Sequence, residues 1–232
     1  MTRDRRDHLH DIKRLTLGKM QNPVRGFLHG TAAVVSVVGA GFLWLRSSGD
    51  LSHQMALLIF SISLVALYTV SSLYHSIPWH RVWKERMQRL DHSMIYILIA
   101  GTYTPISFIV LDGPLRSAIL ATVWGIALIG IVQKALLPRV GDWFSVTMST
   151  VQGWLGVLLI VPLAQRLPWP GLLLMLVGGI LYTTGLVSLL TLRPRLWPRV
   201  FSHHELFHLF VVAGSGAHYA MMLWFVAPLP AT

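Results

Sequence analysis

Two histidines stand four residues apart in the string His204-Glu-Leu-Phe-His208, at the start of the last apolar segment of the chain. On a helix, residues four apart share one face, a turn from each other. Neutral imidazoles placed in this way can bind one metal ion through a ring nitrogen each. The string also fits the H-E-x-x-H pattern of zinc proteases, in which the glutamate is the general base. The pattern therefore indicates metal chemistry and leaves the role of Glu205 open.

The composition identifies the class of protein that must position these side chains. Of 232 residues, 54% are hydrophobic and only 12% are charged, whereas a soluble domain has about 25% charged residues. The net charge of +10 comes from basic residues that lie between apolar runs, which favours an anionic membrane surface over nucleic acid as the partner. The chain has no cysteine, so disulfides and thiolate metal ligands are excluded.

Apolar segments long enough to cross a bilayer, about 20 residues each, occur seven times. The connections between them are short and contain Pro, Gly, Asp and Arg, which end helices and form turns. We therefore predict an all-α, polytopic membrane protein, a seven-transmembrane helix bundle over residues 23–232, after a basic cytoplasmic tail at 1–22 without a cleaved signal peptide. The predicted spans are 24–46, 51–76, 91–111, 115–137, 143–165, 169–192 and 203–227.

The orientation of the bundle follows from its lysines and arginines. Sixteen of the nineteen lie in or beside the tail and the second, fourth and sixth connections, with Arg25 counted as part of the tail. The other three, Arg46, Arg116 and Arg166, lie on the opposite side. Loops rich in Lys and Arg stay in the cytoplasm. We therefore expect a cytoplasmic N-terminus and a C-terminus outside.

With this topology, the ionisable residues in the spans come to one level. His75 ends the second span, Asp91 opens the third, and His204 and His208 open the seventh, all near the cytoplasmic face. Charged and polar groups are expensive inside a membrane and mark functional sites. Three histidines and a carboxylate at one depth predict an open metal site, with three protein ligands and a water, of the kind used in catalysis. Nitrogen and oxygen ligands favour zinc, with iron and manganese as alternatives.

Four other polar residues also lie in or beside the predicted spans. Ser71 lies one turn before His75, where its hydroxyl can hydrogen-bond to Asp91 or to a metal-activated water, or to a backbone carbonyl of its own helix. His29 is either a partner of a metal ligand or an interhelical hydrogen bonder. His218 is ten residues, about 15 Å, beyond His208, so we expect a hydrogen-bonding role inside the bundle. His203 lies at the boundary of the span, where we expect it to be solvated.

These residues together resemble the hemolysin III family of bacterial membrane proteins, which is related to the progestin and adipoQ receptors and, more distantly, to alkaline ceramidases. The resemblance lies in Ser71-Ser-Leu-Tyr-His75, in the long string from Leu90 to Pro105, and in His204-Glu-Leu-Phe-His208 continuing to His218. It implies zinc held by His75, His204 and His208, with Asp91 contacting the activated water and Ser71 supporting it. It does not require glutamate at Glu205, and it implies a location in the bacterial inner (plasma) membrane.

Three functions follow as hypotheses. The first is a zinc-dependent hydrolase of a lipid amide or ester, involved in membrane homeostasis, with Asp91 as general base and membrane lipids as partners. The second is a non-catalytic receptor, regulator or hemolysin-like pore, in which zinc ties the second and seventh spans together. The third is an intramembrane protease with Glu205 as base and Asp91 as third ligand. That assignment leaves His75 without a role in a span where buried histidine is costly.

Overall fold

The structure, a computed structural model, describes residues 17, 20–47, 50–136, 142–197 and 200–230. The described residues form helices joined by short connections and contain no β-strand, so the all-α prediction is confirmed. Most of the predicted tail, 1–22, lies outside the described residues. The helices are α1 (Pro23–Arg46), α2 (Leu51–Ser76), α3 (Arg81–Pro105), α4 (Gly113–Leu136), α5 (Asp142–Leu158), α6 (Ile160–Ala164), α7 (Trp169–Thr191) and α8 (His203–Met221).

Six of these helices are long and apolar enough to cross a membrane: α1, α2, α3, α4, α7 and α8. Two of them continue as π-helical turns, α3 through Ile106–Val110 and α8 through Met222–Val226. Large apolar side chains such as Leu45 and Leu128 are exposed on the outward faces. Exposed apolar surface on this scale is expected where lipid rather than water is the solvent.

The fifth predicted span, 143–165, is divided into two helices. The break falls at Leu159, between α5 with 17 residues and α6 with 5. Pro162 explains it, because proline has no N–H to donate to the carbonyl of residue 158 and its ring crowds that carbonyl. The six long helices therefore do not by themselves establish seven crossings, and the seventh depends on α5 and α6 together.

The third predicted span, 91–111, is part of a longer helix. α3 begins at Arg81, ten residues before the predicted start, because its first turns are polar and hydropathy alone does not detect them. Arg81, Lys84 and Arg86 are exposed there, and the Arg86 guanidinium lies 5.1 Å from the Trp83 ring centroid. A basic helix with tryptophan is typical of the boundary between headgroups and hydrocarbon.

Neighbouring helices pack as sequential pairs, most extensively α1 with α2, α7 with α8, and α2 with α3. Close approach of α1 to α2 depends on Gly26, where an added Cβ would lie 2.1 Å from the Ser76 hydroxyl oxygen. The Ser72 hydroxyl donates a hydrogen bond to the Gly26 carbonyl (2.8 Å), and the Asn22 amide donates to the His75 carbonyl (3.1 Å). α1 also contacts α8, so the start of α1, the end of α2 and the start of α8 meet.

In the connection between α3 and α4, on the side of the bundle opposite to the start of α8, Asp112 pairs with two arginines. Its carboxylate contacts Arg116 at 3.1 Å and also contacts Arg166. Arg116 and Arg166 are two of the three basic residues predicted to lie on the non-cytoplasmic side of the membrane. The ion pairs join the connection after α3 to the one after α6.

Buried polar side chains fix α5 against α3 and α4. The Gln152 amide nitrogen donates to the carbonyls of Val123 (2.9 Å) and Tyr96 (3.3 Å), and the Tyr96 hydroxyl donates to the Ser145 carbonyl (2.9 Å). The ring of Tyr96 lies against Gly130 of α4, where an added Cβ would be 2.5 Å from it. The absence of a side chain at Gly130 is therefore part of this packing.

The packing at Gly130 predicts the effect of a single methyl group. Gly130→Ala should displace the Tyr96 ring and strain its bond to Ser145, lowering the free energy of unfolding by about 1–3 kcal/mol. Gly125→Ala on the same helix is the matched control, because an added Cβ there meets nothing within 4 Å. Thermal melting in detergent should show a lower Tm only for Gly130→Ala. Equal melting temperatures would contradict the packing.

The number of crossings determines where the termini lie. If α5 and α6 cross the membrane together, the termini are on opposite sides, and if they do not, the termini are on the same side. We predict a cytoplasmic N-terminus and an external C-terminus. Reporter fusions at each end, one fluorescent only in the cytoplasm and one enzymatically active only outside, test this. If the fusions at both ends reported a cytoplasmic location, seven crossings would be excluded.

Candidate metal centre

Three imidazoles converge where α2 ends and α8 begins. His75, His204 and His208 each offer a ring nitrogen, and these three atoms all lie within 4.8 Å of one another. His75 and His208 are buried, and His204 is partly buried. The structure brings the three residues together, although His75 lies over a hundred positions before the other two, and the group could hold a metal ion.

The helices present the three rings by their periodicity. His204 and His208 lie one turn apart on α8, with stacked rings whose centroids are 5.1 Å apart. The His75 ring, in the last turn of α2, stands edge-on to both, at 5.5 Å from His204 and 4.8 Å from His208. Two ligands from one helix and one from its neighbour make a site that requires the tertiary fold.

The donor set fits zinc. Zinc–imidazole bonds are about 2.0–2.1 Å long, so the nitrogens must approach each other more closely than 4.8 Å when an ion is bound, by rotation of the rings. Three imidazole nitrogens are the protein donor set of the catalytic zinc in carbonic anhydrase. The site is at a helix junction with polar surroundings, in a chain without thiolates.

His29 of α1 supports His208. Its Nε2 lies 2.9 Å from Nδ1 of His208, and the ring centroids are 4.1 Å apart. A hydrogen bond at Nδ1 leaves Nε2 of His208 for a metal and fixes the orientation of the ring, the usual arrangement behind a metal-binding histidine. The predicted interhelical hydrogen bond is present, and its partner His208 is a candidate ligand.

Asp91 and Ser71 form a second polar pair, with Ser71 one helical turn before His75. The Ser71 hydroxyl, buried on α2 one turn before His75, gives a side-chain hydrogen bond to the Asp91 carboxylate on α3. Asp91 is not a member of the three-imidazole group among the described residues, and His92 is not one either. The Ser71–Asp91 contact was one of the alternatives predicted for Ser71.

The Glu205 carboxylate is bonded to Arg25 and to the backbone at the start of α8. Its Oε1 accepts a hydrogen bond from Nε of Arg25 (2.7 Å), and Nη2 of Arg25 lies 2.7 Å from the same oxygen. Its Oε2 accepts from the backbone N–H of Ser202 (2.9 Å), at the N-terminus of α8. A carboxylate there is stabilised by the exposed N–H groups of the first turn. The H-E-x-x-H interpretation therefore lacks a free glutamate to serve as base.

Arg25 is the site residue that sequence reasoning missed. It was counted with the cytoplasmic tail, yet it lies in the first turn of α1 with only 5% of its surface exposed. One signal was available, because Arg25 falls inside the predicted span 24–46 and one helical turn before His29. An arginine at that position needs a buried acidic partner.

Two further histidines differ in outcome. His203 was expected to be solvated, but it is buried, with Nδ1 3.2 Å from the Ser202 hydroxyl oxygen. The end of α7 contacts this position, where the Ser188 hydroxyl donates to the His203 carbonyl (3.3 Å). His218 donates from Nε2 to the Met175 carbonyl (3.2 Å), as predicted for a hydrogen bonder inside the bundle.

Comparison with known proteins finds relatives over most of the chain. The family model described as "Haemolysin-III related" matches residues 18–219. The chain is 36% identical over 219 residues to "Hemolysin-3" of Bacillus cereus, covering 94% of this chain and 97% of that protein. It is 34% identical over 204 residues to "Hemolysin-3 homolog" of Bacillus subtilis (strain 168), covering 87% and 92%.

A more distant relative comes from animals. The chain is 25% identical over 197 residues to the human "Monocyte to macrophage differentiation factor", covering 83% of this chain and 79% of that one. The family match over residues 18–219 includes all three histidines of the group. The chain is thus a multi-pass membrane protein that belongs to the haemolysin-III-related family.

Proposed function

We propose that this protein is a zinc-dependent hydrolase acting on an amide or ester bond of a membrane lipid. The observation that carries the proposal is the convergence of His75, His204 and His208 within 4.8 Å. The Asp91 carboxylate is hydrogen-bonded to Ser71, which lies one helical turn before His75. Three imidazoles leave a tetrahedral ion one position for water or substrate. A purely structural site normally fills all four positions with protein.

The metal and the carboxylate have separate tasks. When bound, zinc lowers the pKa of a water to about 7 and polarises a carbonyl group. As general base, Asp91 would accept the proton of the water that attacks the carbonyl carbon. As the bond to the leaving nitrogen or oxygen breaks, Asp91 returns the proton to that atom. The Ser71 hydroxyl holds the Asp91 carboxylate in position through the hydrogen bond that joins them.

The surroundings favour a lipid as the substrate. The imidazoles lie at the ends of membrane-spanning helices, where acyl chains can enter from the bilayer while a headgroup stays at the surface. The exposed basic turns at the start of α3, with Arg81, Lys84 and Arg86, precede Asp91 on the same helix. We place the protein in the bacterial inner membrane, with these turns facing the cytoplasm.

A non-catalytic role is the second candidate. His75 belongs to α2 and the other two imidazoles to α8, so a bound ion would tie two helices together as a structural clamp. A receptor or regulator could use such a clamp, with Asp91 moving in as a fourth ligand. The two candidates predict different consequences for Asp91.

The metal site predicts zinc in the purified protein. Elemental analysis should find about one zinc per chain, and His75→Ala should lose it because only two imidazoles remain. His80→Ala is the matched control, since His80 is an exposed histidine five residues further on, and it should keep its zinc. Zinc-free wild-type protein that also fails to take up added zinc would contradict the site.

The catalytic role predicts the phenotype of Asp91→Asn. This variant should keep zinc and lose turnover by roughly 10²–10⁴-fold, the usual contribution of a general base. The assay is release of fatty acid, followed by mass spectrometry, from liposomes of bacterial polar lipids containing N-acylated lipid amides.

Asp50→Asn serves as the control for Asp91→Asn. Asp50 caps α2 through the backbone N–H groups of Ser52 and His53, and asparagine caps a helix equally well, so turnover should persist. Full activity of Asp91→Asn would refute Asp91 as the base. Loss of zinc from Asp91→Asn would instead support the structural clamp.

A further inference from the structure

The start of α8 is joined to α1 by two polar contacts on one face of each helix. Arg25 and His29 are four residues apart on α1, and Glu205 and His208 are three apart on α8, spacings that place each pair on a common face. Arg25 contacts Glu205 at 2.7 Å, and His29 contacts His208 at 2.9 Å. The second contact reaches a candidate metal ligand directly, and the first lies one turn away.

The Arg25–Glu205 contact fixes the first turn of α8 in two directions. One carboxylate oxygen is held by Arg25, which fixes the helix relative to α1. The other is held by the backbone N–H of Ser202, which fixes where the helix begins. Glu205 follows His204 directly in the chain, so a rotation of α8 that moved Glu205 away from Arg25 would also turn His204 and His208 away from His75.

We propose that the Arg25–Glu205 ion pair is a positioning device that sets the metal affinity of the three-imidazole site. It holds α8 at the rotation in which His204 and His208 face His75. This inference rests on the metal site of the proposed function and is independent of whether the protein catalyses hydrolysis. Arg25 and Glu205 are thus positioning residues that touch neither the metal nor a substrate.

Stability does not explain the ion pair well. Both side chains are buried, and a buried ion pair is often no more stabilising than uncharged residues of the same size, because both charges lose their hydration. Removing one partner alone leaves an uncompensated buried charge and destabilises the fold. A clean test therefore removes both charges together and measures metal binding separately from folding.

The test is the double variant Arg25→Gln with Glu205→Gln. Glutamine at position 205 can still accept the Ser202 hydrogen bond, as in other capping boxes, so the start of α8 is kept while the ion pair is lost. Zinc affinity of the metal-free protein, measured by competition with a chelating dye, should fall roughly 10–100-fold, as for other residues that orient metal ligands. Substitution with Co²⁺ should show a visible absorption band that differs from that of the wild type.

Two comparisons separate positioning from a general loss of stability. Asp112→Asn removes a different set of ion pairs, those with Arg116 and Arg166, and should leave zinc affinity unchanged whatever its Tm. Arg25→Lys keeps the charge but replaces the guanidinium that contacts Glu205 through two nitrogens, so its loss of affinity should be smaller than that of the double variant.

The outcomes are distinct. Weaker zinc binding in the double variant, with the metal-free Tm close to that of the wild type, supports the inference. Wild-type affinity in a folded double variant overturns it while leaving the metal site intact. If the double variant does not fold, Arg25→Lys decides, and unchanged affinity and an unchanged Co²⁺ spectrum in that variant also overturn it. A wild-type protein that binds no zinc would instead refute the proposed function.

Discussion

In hydrocarbon, the backbone N–H and C=O groups of a helix are satisfied within that helix, so a site in a helix bundle is built from side chains. This constraint governs the candidate centre. The end of α2 and the start of α8 bring His75 to His204 and His208, and the start of α1 supplies His29 behind His208. Because all three helices have an end at this level, costly polar side chains are gathered there instead of being spread along the spans.

The residues of the string 204–208 have two different roles, one in the candidate metal site and one in fixing the start of α8. His204 and His208 face His75, while Glu205 bonds to Arg25 and to the backbone that begins the helix. Adjacent residues on a helix point some 100° apart, so Glu205 and its neighbour His204 face different partners. The resemblance to a zinc protease is therefore limited to the sequence pattern. Arg25 holds the glutamate, and the third imidazole of the group comes from α2.

Sequence reasoning was most successful where the physical signal was local. Apolar length predicted seven spans, and six of them are single long apolar helices in the described part of the chain. Charge asymmetry predicted that His75, His204 and His208 lie at one depth. Hydropathy did not detect the polar first turns of α3, nor the break that Pro162 causes at Leu159. The Arg25–Glu205 pair could not be predicted, because two residues 180 positions apart are brought together by packing that no local pattern records.

X-ray absorption spectroscopy at the zinc edge, on the purified zinc-loaded protein, tests the central claim most directly. The account predicts three imidazole ligands with zinc–nitrogen distances of about 2.0 Å and a further oxygen ligand from water. His75→Ala should reduce the imidazole count to two. A spectrum with fewer than two imidazoles, or one that His75→Ala leaves unchanged, would contradict a metal centre built from α2 and α8.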